Sequence, residues 1–280
     1  MQERAYSIQA GDVHAVCVGE PNLTPIICLH GWLDNAASFT DIWQAFPEYY
    51  LIAVDLPGHG KSFHRSLGAE YNLIDYVQDV RELIVTNKWH NVRFIGHSLG
   101  GIIASMYAAL FPEDVESLVI IESFGPLTMP VSSTVEQLRN SIETRLNAKQ
   151  KIIKQPKSLS SVVKARTAQS DLNTHEAEMI MSRNLRQNAD GEWQWRTDHR
   201  LRTLSNLRMT EQQAEQVMSN IKCPTMLILG TEGFEKLKVN VEKRAHLIKH
   251  LRIEYCDGGH HVHMRSPRQI CDKIRDFLLN

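Results

Sequence analysis

The residues with the clearest chemical meaning are Gly96-His97-Ser98-Leu99-Gly100, followed by Gly101 and the helix-like run 102–110. They form G-x-S-x-G, with a strand-like apolar run at 92–95 before it. A serine at the apex of so sharp a turn has a strained backbone and a projecting hydroxyl, and the flanking glycines remove Cβ atoms that would collide with neighbouring elements. Ser98 is therefore expected to be a nucleophile. A serine hydroxyl attacks poorly until a base takes its proton, and histidine, with a pKa near neutrality, is the usual base. Of 13 histidines, three cluster in Gly258-Gly259-His260-His261-Val262-His263, directly after the last strand-like run. His260 is the expected base, with His261 and His263 packing beside it or supporting it. No acid or cysteine at a suggestive spacing joins them, so no metal site is expected.

A third residue should orient the imidazole, in the chain order serine, acid, histidine. Glu122, after the run 118–121, leads among four positions; Glu232 is the alternative acid, and Glu235 and Asp257 remain open. Acyl transfer also needs two backbone N–H groups for the oxyanion. Leu99, at the start of a helix, should supply one, and Trp32, in His30-Gly31-Trp32-Leu33-Asp34-Asn35, the other. The Trp32 indole is expected to line the pocket, and His30, Gly31 and His97 to border it.

These groups need a scaffold that brings distant loops together. Short β-branched runs recur at 13–18, 26–29, 51–54, 92–95, 118–121, 225–229 and 252–255, several of them apolar on both faces. Such strands need helices on both sides, which implies mostly parallel pairing. Segment 74–86 keeps Ile74, Val77, Val80, Leu83 and Ile84 at helical spacing. The expected fold class is α/β: an open, mostly parallel sheet flanked by helices, with its ligand site at the carboxyl ends of the strands. The alternation stops between about 125 and 221, which reads as helical and polar without a strand run. The expected organisation is a core at residues 1–124, a helical cap at 125–221 and a second part of the core at 222–280. Within the cap, residues 139–166 hold eight basic side chains and one acid, Glu143. That stretch reads first as a solvated helical face, and second as an anion-binding entrance.

The 280 residues carry 31 basic and 32 acidic side chains, so no global field recruits nucleic acid or an anionic membrane. The most apolar stretch, 102–111, is far shorter than the roughly 20 residues a membrane span requires. Residues 1–11 hold Glu3 and Arg4 and no apolar signal core, so a cytoplasmic location is expected. Cys17, Cys28, Cys223, Cys256 and Cys271 are widely spaced and are expected to be reduced thiols.

Taken together, His30-Gly31, Asp55-Leu56-Pro57-Gly58-His59-Gly60-Lys61-Ser62, Gly96-His97-Ser98-Leu99-Gly100-Gly101 and Gly259-His260 resemble the α/β-hydrolase superfamily, over residues 8–124 and 221–278. The segments Cys28-Leu29-His30-Gly31-Trp32-Leu33-Asp34-Asn35-Ala36 and Gly259-His260-His261-Val262-His263-Met264 resemble its serine hydrolase-like branch. In this superfamily Asp55 and His59 look structural, and the usual acid stands three residues after the glycine ending the seventh strand. Here that glycine is Gly230 and the position is Gly233, so the standard acid is missing. Some members carry it after the sixth strand instead, which Glu122 matches. The resemblance implies a carboxylesterase working through a Ser98 acyl-enzyme on a small-molecule ester, without cofactor or metal, as monomer or homodimer. Thioesterase, amidase, lactonase or C–C bond hydrolysis on the same triad, or a non-catalytic binding protein on this scaffold, are the alternatives.

Overall fold

Runs that are apolar on both faces need cover from two layers, and the fold supplies them. The computed structural model describes residues 1–279. Along the chain the strands are β1 (Gln2–Ile8), β2 (Gly11–Val18), β3 (Pro25–Leu29), β4 (Tyr50–Val54), β5 (Val92–His97) and β6 (Val115–Ile121), followed by β7 (Leu185–Gln187), β8 (Trp193–Trp195), β9 (Thr225–Gly230) and β10 (Leu251–Cys256). All but β7 and β8 form one eight-stranded sheet in the order β1-β2-β4-β3-β5-β6-β9-β10. The β1–β2 and β2–β4 pairs are antiparallel and the remaining pairs parallel. Strand β1 is absent from the reading of the sequence because most of its side chains face water at the sheet edge, leaving little apolar pattern to detect.

Helices α1 (Leu73–Thr86), α2 (Leu99–Leu110), α3 (Thr134–Gln150), α4 (Leu159–Thr167), α5 (Thr174–Asn184), α6 (Glu211–Ser219), α7 (Glu235–Arg244), α8 (Val262–Arg265) and α9 (Pro267–Leu279) complete the elements. Helices α1, α2, α6 and α7 pack one apolar layer against the sheet. The opposite layer joins Phe39, Ile42 and Phe46 to Val262, Ile270 and Ile274. In α1 the expected face is buried except at Ile74, which lies exposed in the first turn, where the Asn72/Asp75 capping box fixes the start of the helix. Between β6 and β9, α3, α4 and α5 and the hairpin β7–β8 form an insert with its own small core of Val162, Val163, Ala177, Ile180 and Met181. The hairpin departs from the expected strand-free insert, because three-residue strands carry no detectable period. Helix α6, although before β9, packs on α2 rather than in the insert core.

Register explains why distant loops meet. Leu29 of β3 pairs with Gly96 of β5, Gly96 with Ile120 of β6, and Ile120 with Leu227 of β9. The four parallel strands therefore end nearly level, and the residues after each emerge on the same rim. The insert is clamped to that rim: Asn35 Nδ2 donates to the Ile180 carbonyl (2.8 Å), and Arg183 of α5 pairs with buried Asp55 (2.8 Å). The Ala36 and Lys61 amides also donate to the Asp55 carboxylate, which fits its expected structural role. Among the described residues no helix is long and apolar enough to cross a membrane. The five cysteines are buried and unpaired.

The tightest constraint at the rim is Gly100, where any Cβ would run into the Leu29 carbonyl group. Gly100→Ala should destabilise the fold by ~3 kcal/mol or more, because backbone rather than a pliable side chain must yield. Urea unfolding of the variant beside wild type reads this directly.

Candidate active site

Ser98 joins β5 to α2 in a strained conformation, φ 49° and ψ −115°. Leu33 and Glu122, on the neighbouring loops, also have positive φ, 65° and 51°. Non-glycine residues rarely adopt this region, and such strain gathers where surrounding structure holds a functional geometry. Ser98 is held by its own N–H, which donates to the Ile121 carbonyl (2.9 Å), and by Gly100 N–H, which donates to the His30 carbonyl (3.0 Å). Leu99 opens α2, so its amide lies at the positive end of the helix. Among the described residues, neither the Leu99 nor the Trp32 amide has a protein acceptor.

The acid-bearing loops sort themselves by geometry. Glu122 is 3% exposed at the end of β6, and its Oε1 accepts from Gly230 N–H at 2.7 Å. Its Oε2 faces His260 Nδ1 at 3.4 Å. Gly233 explains how a carboxylate from β6 fits there: a Cβ at 233 would overlap the Glu122 carboxylate. The position that lacks the usual acid is thus the space Glu122 fills. Glu232 is exposed and Glu235 pairs with Lys238, while Asp257 accepts from Gln269. The structure brings Glu122 to His260 and leaves the other three elsewhere.

The other histidines take distinct states. His97 Nε2–H donates to the His260 carbonyl (2.9 Å), tying the loop of the expected base to the residue before Ser98. Burial, reinforced by the neighbouring histidines, pushes His97 well below its ordinary value, and burial and His261 push His263 down to about 3. His261 behaves oppositely. Its Nδ1 faces Asp171 at 2.5 Å and its Nε2 faces Asp34 at 3.4 Å. Burial alone would lower its pKa, but the two carboxylates outweigh burial and raise it to about 9. Asp34, buried yet facing His261 and Arg166 (2.7 Å), is held well below the usual carboxylate range. The rings of His260, His261 and His263 gather around His97, at 4.8, 5.2 and 4.2 Å between centroids, but His260 and His261 turn their nitrogens to different carboxylates.

With this geometry in view, comparison with known proteins is decisive about family. The family model for the alpha/beta hydrolase fold matches residues 24–267. The chain belongs to the α/β-hydrolase family. A zebrafish (Danio rerio) serine hydrolase-like protein is 30% identical to this hydrolase, over 96% of the chain and 85% of the relative. The crystal structure of a hypothetical protein from Pseudomonas aeruginosa PAO1 superposes with TM-score 0.94 at 28% identity, covering both chains fully. A thioesterase domain from the curacin biosynthetic pathway shares the fold at TM-score 0.83 and 20% identity, over 98% of this chain and 99% of that one.

In this α/β hydrolase a cleft of about 830 Å³ is lined almost entirely by the insert, with Trp32 and Leu33 as its core residues; Ser98 and His260 are not among its lining residues. Trp32 is half exposed there, its Nε1–H donating to the Leu201 carbonyl (2.9 Å). His30, Gly31 and His97, expected to border the pocket, lie in the rim loops beside Ser98. All three are buried and none lines the cleft. His30 is occupied structurally: Nδ1–H donates to Gly31 O (2.7 Å) and Nε2 accepts from Leu56 N–H (2.9 Å). The sequence reading missed Asp34, Asp171 and Phe234, whose ring lies 4.7 Å from that of His260. Only Asp34 lay inside a recognised motif; the others come from loops and insert segments with no local signature.

The His261 clasp has a definite pH dependence. Its folded pKa is raised from 6.5 to about 9, so its stabilisation is complete below pH 6.5 and is lost as pH rises through 9. The contribution is at most on the order of 3 kcal/mol. Thermal melts from pH 6 to 9.5 should therefore show a fall in stability that His261→Gln flattens.

Proposed function

We propose that this serine hydrolase-like protein is a carboxylesterase that cleaves small to medium acyl esters through a Ser98 acyl-enzyme. The single observation that carries the reading is the Glu122–His260 pairing on the rim that also bears the strained Ser98 turn. With His260 Nδ1–H donated to Glu122, the ring's Nε2 is left as the basic nitrogen, and the buried carboxylate stabilises the imidazolium that forms. Ser98 Oγ attacks the ester carbonyl while its proton passes to His260. The Trp32 and Leu99 amides, both without a protein acceptor, stabilise the oxyanion. His260 then returns the proton to the leaving alcohol, and the acyl group stays on Ser98. Water, deprotonated by His260, attacks the acyl-enzyme; the carboxylic acid leaves and Ser98 regains its proton. The route uses no cofactor. The insert serves as a cap, and its cleft takes the substrate. Fold and triad do not by themselves name the bond, so thioesters, lactones, amides and C–C bonds beside a carbonyl are open to the same groups.

Hydrolysis of p-nitrophenyl acetate, butyrate and octanoate tests the proposal. Ser98→Ala and Glu122→Gln should each lose about 10⁴-fold in kcat, whereas Glu232→Gln should stay within about twofold of wild type. A fluorophosphonate probe should add one adduct, at Ser98, by mass spectrometry. Equal background rates for wild type and Ser98→Ala, with no adduct, would leave a ligand-binding protein as the reading.

A further inference from the structure

The walls of the cleft are electrostatically one-sided. Lys151 and Lys154 after α3, Arg166 of α4, and Arg202 all line it. The only carboxylate among its lining residues is Asp198, and that group is already engaged by Arg200 (2.6 Å) and the Tyr71 hydroxyl (2.7 Å). Arg166 spends one Nη on Asp34, yet its Nε is buried without a hydrogen-bond partner among the described residues. Thr197 Oγ1, in the same wall, is buried and equally unpartnered. Arg202, Lys151 and Lys154 have no ion-pair partner among the described residues, and the Arg202 guanidinium lies 5.7 Å from the Trp32 ring centroid. Buried donors without acceptors carry a desolvation penalty that an anion would relieve. A cleft walled by one sign of charge also concentrates ligands of the opposite sign.

We propose that the cleft wall bearing Arg202, Arg166, Lys154 and Thr197 is an anion subsite, and that the preferred substrate is an ester or thioester bearing a carboxylate or phosphate away from the reacting carbonyl. The inference rests on the hydrolase reading for which bond is broken, but not for what the cleft binds. Trp32 links the two, since its amide is the proposed oxyanion donor and its ring lies against the Arg202 guanidinium. Arginine suits this task because its planar fork matches carboxylate and phosphate oxygens. Partial burial and, after it, the nearby Arg166 lower the pKa of Arg202 from its ordinary value. The basic stretch 139–166, read first as a solvated face, thereby divides: Lys151, Lys154 and Arg166 face the cleft and join an arginine that lies 36 residues beyond the stretch.

Calorimetric binding to Ser98→Ala tests this without turnover, using two matched pairs. Mono-p-nitrophenyl glutarate is compared with its neutral methyl ester, and acetyl-CoA with the neutral S-acetyl-N-acetylcysteamine. At least one anionic member should bind ~10- to 100-fold more tightly than its neutral partner, with the ratio shrinking in 0.5 M salt. Arg202→Gln should bring that ratio close to one, and Arg202→Lys should restore part of it. Preference in the first pair alone identifies a carboxylate subsite, and in the second alone a phosphate subsite. Ratios near one in both pairs, or a ratio indifferent to Arg202→Gln, would overturn the proposal. Absence of hydrolysis of the neutral activated esters by wild type, by contrast, would sink the esterase reading and leave this binding result standing on its own.

Discussion

A buried carboxylate is costly unless its oxygens are met, and the rim of this hydrolase is organised around one. Glu122 ends β6 almost fully out of water, and the groups that meet it come from two other loops: Gly230 N–H at the end of β9 and His260 after β10. Each contact depends on the parallel register that ends these strands nearly level. The backbone must turn to φ 51° to present the side chain, and the absence of a side chain at Gly233 leaves the room it needs. Removing any of these conditions would leave a desolvated charge without compensation, so the strand ends, the strained turn and the placement of His260 form one interdependent unit.

A second charge cluster, behind the first, joins core to insert. Asp34 on the core loop meets Arg166 from α4, and His261 bridges Asp34 to Asp171 from the insert. The imidazoles within a few ångströms are driven to opposite states by what surrounds them. His97 and His263, buried against other rings, are kept neutral by desolvation, whereas His261, caught between two carboxylates, keeps its charge. The neutral His97 can then donate to the His260 carbonyl without placing another cation beside the proposed base. Coulombic pairing thus ties the insert to the rim, while desolvation keeps His97 and His263 neutral.

The insert also brings a surface of its own to the rim. Its inner surface mixes apolar residues such as Ile153, Val162 and Met181 with unpaired cations, and the core side offers Trp32 and Leu33. A surface of this kind can hold an apolar chain by contact and discriminate among ligands by charge, so under the proposed reading the rim would supply the chemistry and the insert the selectivity. That division accords with a fold in which function resides in sites built upon a shared core.

How much of this was legible from sequence follows from the range of the interactions involved. The Ser98 turn could be read because its glycines, strand and helix are contiguous, and the buried strands because residues without a polar face leave a continuous run. Edge strand β1 and the hairpin β7–β8 could not, since one is half solvated and the other too short to show a period. The family resemblance narrowed the acid to Glu122, but four carboxylates stood in loops of the right kind. Only the register of β6, β9 and β10 selects the one that faces His260. The charge on His261, the burial of His30 and His97 behind the cleft, and the meeting of Lys151, Lys154, Arg166 and Arg202 were decided in three dimensions alone. Local sequence specifies turns and faces, because those depend on neighbouring residues; pKa shifts and cleft fields arise from groups tens to hundreds of residues apart, and only the folded chain brings them within reach.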